Sequence, residues 1–319
     1  MAADSSGRMW FGTYEKGISC LENSAWKYYN SPSEDPIHQG VMALAFDNSN
    51  RLWIAVERAG FYMNDGSDWI NFKNAALPYE TITSLEIDRH GIMWIGTGNN
   101  GVLSFDGSTW KSYTTDNGLC SNKILSVAID HNNIKWFGTS AGVTSYGGGK
   151  WINHTVTNSG LIHNWVSAVA VDSDNVKWFG TAHGISSYHY GEWKRYSKEI
   201  EKYVNSGVLK IAVDHNNVKW FGTFNGGMIS YDGVTWSPFT SGNSDIASNY
   251  INNIAVDKNN VKWIGMSEYG VSSFDGERWE NFSSVNGLLD DTVFCIACDR
   301  NGVLWFGSKQ GLSSYERSE

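Results

Sequence analysis

Apolar and polar residues follow one short rhythm along the whole chain: a run of alternating or apolar residues, a polar turn, and another run. Residues 124–156 show it clearly, reading ILSVAID, HNN, IKWFGT, SAG, VTSYG, GGK and WINHTV. Alternation rich in Val, Ile, Tyr and Trp, broken by Asn and Gly, predicts four short pleated strands, labelled A to D. Strand A, as in Ile124–Ile129, Val166–Val171 and Ile251–Val256, is apolar on successive residues and reads as buried on both faces. Strand B carries Trp-Phe-Gly-Thr, strand C alternates as in Gly142-Val143-Thr144-Ser145-Tyr146, and strand D opens on a Trp that usually has an aromatic residue three places on.

This unit repeats. The strand-B tryptophans are Trp10, Trp53, Trp94, Trp136, Trp178, Trp220, Trp263 and Trp305, spaced by 41 to 43 residues. A second Trp follows each of the first seven, at Trp26, Trp69, Trp110, Trp151, Trp193, Trp236 and Trp279. Of the 16 tryptophans only Trp165 stands outside both series. A fixed period of this length with four strands per unit marks a radial repeat. The expected fold is all-β, a β-propeller of four-stranded antiparallel blades in a single domain over residues 1–319. A Trp at the same place in every unit is read as packing between blades, since no blade buries its own faces. Eight blades are favoured, with seven the alternative count. Seven would strand one apolar B and C pair, such as Trp10-Phe11 or Trp305-Phe306, and Met1-Ala2-Ala3-Asp4 aligns with the end of a strand A, Ile254-Ala255-Val256-Asp257.

Turn chemistry supports the same reading. Each A–B turn begins with Asp, at Asp4, Asp47, Asp88, Asp130, Asp172, Asp214, Asp257 and Asp299, followed within three residues by Asn or Gly. Such an Asp accepts hydrogen bonds from backbone two residues on, and Asn or Gly takes the left-handed position. Asp-Gly pairs at Asp65-Gly66, Asp106-Gly107, Asp232-Gly233 and Asp275-Gly276 make the C–D hairpin turns. A calcium array is not expected from these aspartates, because each sits alone in its turn without further acidic ligands.

Composition narrows the partners. A net charge of -9 argues against a nucleic-acid surface. No run reaches the roughly 20 apolar residues that a membrane helix needs, and the start MAADSSGRMW lacks the pattern of a secretory signal. Cys20, Cys120, Cys295 and Cys298 show no disulfide or metal-ligand spacing and read as small hydrophobes. No metal site, cofactor or catalytic residue is expected.

The motifs Asn117-Gly118-Leu119, Trp136-Phe137-Gly138-Thr139, Gly270-Val271-Ser272-Ser273 and Phe274-Asp275-Gly276 resemble the two-component regulator propeller repeat. The resemblance covers essentially the whole chain. It implies a periplasmic or extracellular sensor domain of a hybrid two-component system, with an oligosaccharide or other small molecule as ligand and a histidine kinase or other signalling protein as partner.

Ligand sites on repeat scaffolds lie in loops that vary between copies. The B–C loops vary while their flanks do not: Tyr14-Glu15-Lys16, Glu57-Arg58, Asn99-Asn100, Ser140-Ala141, Ala182-His183, Phe224-Asn225, Ser267-Glu268-Tyr269 and Lys309-Gln310. The loops leading into strand A share that face and add Gln39, Glu80, Asn122, Trp165, Tyr203, Asn249, Tyr250 and Asp291. The candidate ligand-binding set is Tyr14, Glu15, Arg58, Asn99, Asn122, Trp165, His183, Phe224, Asn225, Tyr250, Glu268 and Tyr269. Aromatic faces beside amides suit a sugar ring, apolar on its C–H face and hydroxylated at its rim. Trp165 is the sharpest member, because no demand of the repeat explains it. His38, His163 and His183 with Glu15, Glu57 and Glu268 would form a metal or acid–base site only if the fold gathered them. Two other classes therefore stay open: a metal-dependent lyase or hydrolase at the channel mouth, and a protein-interaction scaffold. The first lacks Gly-x-Ser-x-Gly and His-Glu-x-x-His, and the second lacks an apolar patch in the loops.

Overall fold

The structure, a computed structural model, describes residues 81–196, 200, 207–288 and 290–298, and elsewhere 2–3, 9–12, 18–22, 25–29, 41–46, 51–56, 60–64, 69–72, 304–308 and 312–315. Among the described residues there are eight antiparallel sheets, seven of four strands and one, the last, of three. Within each sheet the strands follow chain order from A outward. The A strands are Ala2–Ala3, Val41–Phe46, Ile82–Ile87, Ile124–Ile129, Val166–Val171, Val208–Val213, Ile251–Val256 and Val293–Cys298. Each lies beside the next, and Val293–Cys298 lies beside Ala2–Ala3, so the inner strands close a ring of eight blades. Blades are numbered 1 to 8 in chain order.

Register shows why this ring closes. The strand-A residue paired with the strand-B Trp is Ala2, Ala45, Ala128, Ala170, Ala212, Ala255 and Ala297 in seven blades, and Glu86 in blade 3. A methyl group is what the crowded inner ring accommodates next to an indole. The expectation that strand A is buried on both faces is corrected. Beyond their first residue most positions of Val208–Val213 and Ile251–Val256 are only half-buried. The fully buried strand is B: every residue of Met93–Thr97, Lys135–Thr139, Lys177–Thr181, Lys219–Thr223 and Lys262–Met266 is covered. Strand A borders the axis, whereas strand B has a strand on either side and a blade against each face.

The A–B turn aspartates do more than cap turns. In blade 4, Asp130 Oδ1 accepts from the backbone N–H of Asn132 and Ile134 at 2.9 Å. Its Oδ2 accepts from the Trp136 indole N–H at 3.2 Å and pairs with Lys177 Nζ of blade 5 at 3.3 Å. The same four-part contact recurs with Asp88, Trp94 and Lys135, with Asp172, Trp178 and Lys219, and with Asp214, Trp220 and Lys262. Each lysine also lies over the Trp ring of the preceding blade, 5.0 to 5.5 Å from its centroid, and donates to the carbonyl of the Asn two residues before it. Those Asn residues, Asn133, Asn175, Asn217 and Asn260, sit in the left-handed region at φ 60 to 63°. Their side-chain oxygens accept the N–H of Arg89, His131, Ser173 and His215 in the preceding blade. A buried charge is tolerated only when paired and hydrogen-bonded, and here every partner is supplied by the repeat. Burial raises the Asp88 carboxyl, but Lys135 and the turn N–H groups outweigh it and hold the group below its ordinary value.

Among the described residues, aromatic rings fill the rest of the gaps between blades. Trp136 meets Phe179 and Tyr188 of blade 5, and Trp193 stacks on Phe179 at 5.2 Å. The residue three after the strand-D Trp joins this packing: Tyr113, Tyr196, Phe239 and Phe282 in blades 3, 5, 6 and 7, but His154 in blade 4. His154 stacks on Trp136 at 5.6 Å, with Nε2 3.1 Å from Ser145 Oγ. Cys120, the cysteine whose side chain is described, is half-buried and unbridged, its thiol beside the hydroxyls of Thr139 and Thr144.

Asp172→Ala removes bonds to the N–H of Asp174, Val176 and Trp178 Nε1 and leaves Lys219 buried without its acid. A loss of about 3–5 kcal/mol in urea-induced unfolding is expected. Burial lowers the His154 imidazole from 6.5 to about 4. The unfolded chain therefore takes up this proton at higher pH than the folded one, and stability falls as pH drops from 6.5 toward about 4. His154→Phe, which restores a sibling blade's residue, is expected to flatten the urea midpoint against pH across that window.

Candidate functional site

Backbone bonds join the two loop sets on one face. The B–C loop glycines Gly101, Gly227 and Gly270 donate to the carbonyls of Asn122, Asn249 and Asp291, each in the loop leading into the next blade's strand A. Within a blade, Ala182 donates to the Trp165 carbonyl and Phe224 to that of Gly207. Variable side chains are thus mounted on a fixed backbone mesh around the mouth of the ring.

The structure gathers part of the candidate set. Trp165 is 39% exposed and carries Lys123 Nζ of the neighbouring blade 4.8 Å above its ring. Phe224 packs on Tyr250 across the gap between blades 6 and 7, with centroids 4.6 Å apart. Tyr269 stands out from the surface, and the preceding Glu268 holds φ 69°. A left-handed backbone is uncommon outside Gly, Asn and Asp, and such outliers gather at binding sites. Asn99 and Asn225 are exposed at their loop tips. Asn122 is committed within its own loop: its Oδ1 accepts from Thr115 N–H at 2.8 Å, as Asn164, Asn249 and Asp291 do at the same position elsewhere. Tyr14, Glu15 and Arg58 lie outside the described residues.

His183 meets His163, with centroids 4.6 Å apart and rings edge to face. His163 Nδ1 accepts the Trp165 N–H at 2.9 Å, so the neutral ring carries its proton on Nε2. Burial first and His183 second hold His163 below its ordinary value. No group of three metal-ligating side chains occurs among the described residues. Sequence reasoning missed Lys123, whose role depends on a neighbour some forty residues away. It also missed Glu86, the carboxylate in the otherwise alanine ring, although the register of the repeats carries that signal. Water reaches Glu86, yet the protein crowded around the inner strand still desolvates its carboxyl and pushes it up to about 7.

The family model described as two component regulator propeller matches residues 76–99 and 287–310. Two stretches of this chain thus resemble two-component regulator propeller repeats. No curated protein matches the sequence. Among solved structures, the extracellular domain of a B. thetaiotaomicron protein described as a one component system aligns at TM-score 0.63 and 18% identity, over 99% of this chain and 50% of that one. This propeller thus spans half the length of that relative. The computationally designed Ika8 protein aligns at TM-score 0.72 and 14% identity, over 99% and 95% of the two chains. Virginiamycin B lyase from Staphylococcus aureus aligns at TM-score 0.67 and 13% identity, over 96% and 97%. At these identities the likeness is one of fold. Among the described residues of this propeller, no helix is long and apolar enough to cross a membrane.

Protonating His163 removes the acceptor of the Trp165 N–H. In an amide NMR titration the Trp165 backbone resonance is expected to hold steady at neutral pH and to move with a midpoint below 6.5. A midpoint at or above 6.5 would contradict the arrangement.

Proposed function

We propose that the propeller is the ligand-recognition domain of an extracellular or periplasmic sensor and that its loop face binds a carbohydrate. The observation that carries this reading is where aromatic surface is left uncovered. Among the described residues four aromatic side chains are exposed: Trp165, Phe224 and Tyr269 at this mouth, and Tyr190 in a C–D turn. Burying aromatic surface is the rule elsewhere in the molecule, so apolar rings held in water at one rim are available to a ligand. Lys123 over Trp165 and the amides of Asn99 and Asn225 add the hydrogen-bonding groups that a hydroxylated ring requires. The likeness to an extracellular domain of a one component system, together with the family repeats, supports a signalling protein as partner.

Thermal-shift screening against an oligosaccharide panel tests the proposal. A ligand at 100 times its Kd adds about 2.7 kcal/mol of stability. Trp165→Ala, Phe224→Ala and Tyr269→Ala are each expected to weaken that ligand about tenfold, or 1.4 kcal/mol, while leaving the unliganded Tm nearly unchanged. Full retention of affinity in all three variants would overturn the assignment of this face.

A further inference from the structure

We propose a second ligand site on the opposite face of the ring, in the cleft between blades 3 and 4, for a small ring that bears a carboxylate. The cleft encloses about 510 Å³. Its aromatic side is Tyr113 of blade 3 and Tyr146 of blade 4, packed against each other with centroids 6.0 Å apart over the buried Trp94, whose centroid is 5.3 Å from that of Tyr146. The half-buried tyrosine pair leaves aromatic surface on one side of the cleft, which suits a flat or apolar ring face.

The charge at this cleft runs against that of the chain. Its lining holds Arg89, Lys111 and Lys135 against Asp88 and Asp106, one positive charge in excess, in a protein of net charge -9. Both acids are engaged. Asp88 is closed inside by Lys135, Trp94 and the turn N–H groups, and Asp106 accepts from the N–H of Ser108 and Thr109 within its own turn. Arg89, exposed at the lip with Nε 3.4 Å from His90 Nε2, offers a planar fork that matches a carboxylate.

The neighbouring gap shows that the opening is a property of this cleft and not of every pair of blades. Between blades 4 and 5 the corresponding space is about 220 Å³. There Tyr190, at φ 46°, occupies the turn position that Gly148 holds at φ 59°, and Asn132 and Ile152 stand where the first cleft has His90 and Lys111. A Cβ at Gly148 or Gly149 would meet nothing within 4 Å, so this lip is open because it lacks side chains.

Binding of benzoate and of glucuronate, with benzyl alcohol and glucose as neutral controls, is measured by calorimetry at low and high salt. At least one carboxylate is expected to bind, more weakly at high salt, while its neutral control does not. The two arms distinguish an aromatic from a sugar carboxylate. Arg89→Glu, and separately Gly148→Tyr, which copies the next blade's turn, are expected to weaken binding at least tenfold with an unchanged circular dichroism spectrum. Trp165→Ala is expected to have no effect. The site is refuted if neither carboxylate binds, if the neutral controls bind equally, if neither lip variant changes affinity, or if Trp165→Ala abolishes the signal.

Discussion

A carboxylate buried beside an indole and a lysine holds neighbouring blades together, and most other features of the ring follow from it. Asp130 shows the arrangement: one oxygen organises its own turn, and the other takes the Trp136 N–H and the Lys177 ammonium of the next blade. A lone blade would leave its Asp without the next blade's Lys and, on the same face, its Trp uncovered. Neither is stable in isolation, so closure of the ring completes the charge pairing as well as the hydrophobic core.

The ring is not uniform in how it uses this device. Blades 4 to 7 place Lys before the strand-B Trp, at Lys135, Lys177, Lys219 and Lys262, whereas the other four have Met9, Leu52, Met93 and Leu304. Met93 and Leu304 are buried and pack in clusters with Trp53 and Trp263 of the preceding blades. The four gaps from blade 3 to blade 7 are therefore joined by charge, and those before blades 3 and 8 by apolar contact at the same position. A lysine stem and a Met or Leu side chain fill similar volume against an indole, which is why one backbone accepts both.

Both proposed sites lie where the repeat is broken. Trp165, Lys123 and Tyr269 stand out because the scaffold has no use for them, and the same holds for Arg89 and Gly148 on the other face. Trp165 was legible as a single Trp outside two regular series. Asn122 shares the variable-loop pattern of the other candidates, and the structure adds that its Oδ1 serves the same internal bond that Asn164 and Asn249 make. A loop position and a ligand position share composition, and only a hydrogen-bond partner tells them apart.

Period and turn chemistry by themselves determined the all-β propeller, its eight units, the strand order within each, and the face to which the variable loops belong. Those features are local: a hairpin turn, an alternating strand and a Trp in each copy specify them within about forty residues. The tertiary structure decided which residues meet across a gap, because Lys177 finds Asp130 and Phe224 finds Tyr250 only when two blades stack. It also decided that strand B rather than strand A is the most deeply buried. Alternation along a strand records which side a residue takes, while burial depends on what is packed against that side, and the inner strand faces the ring's own axis.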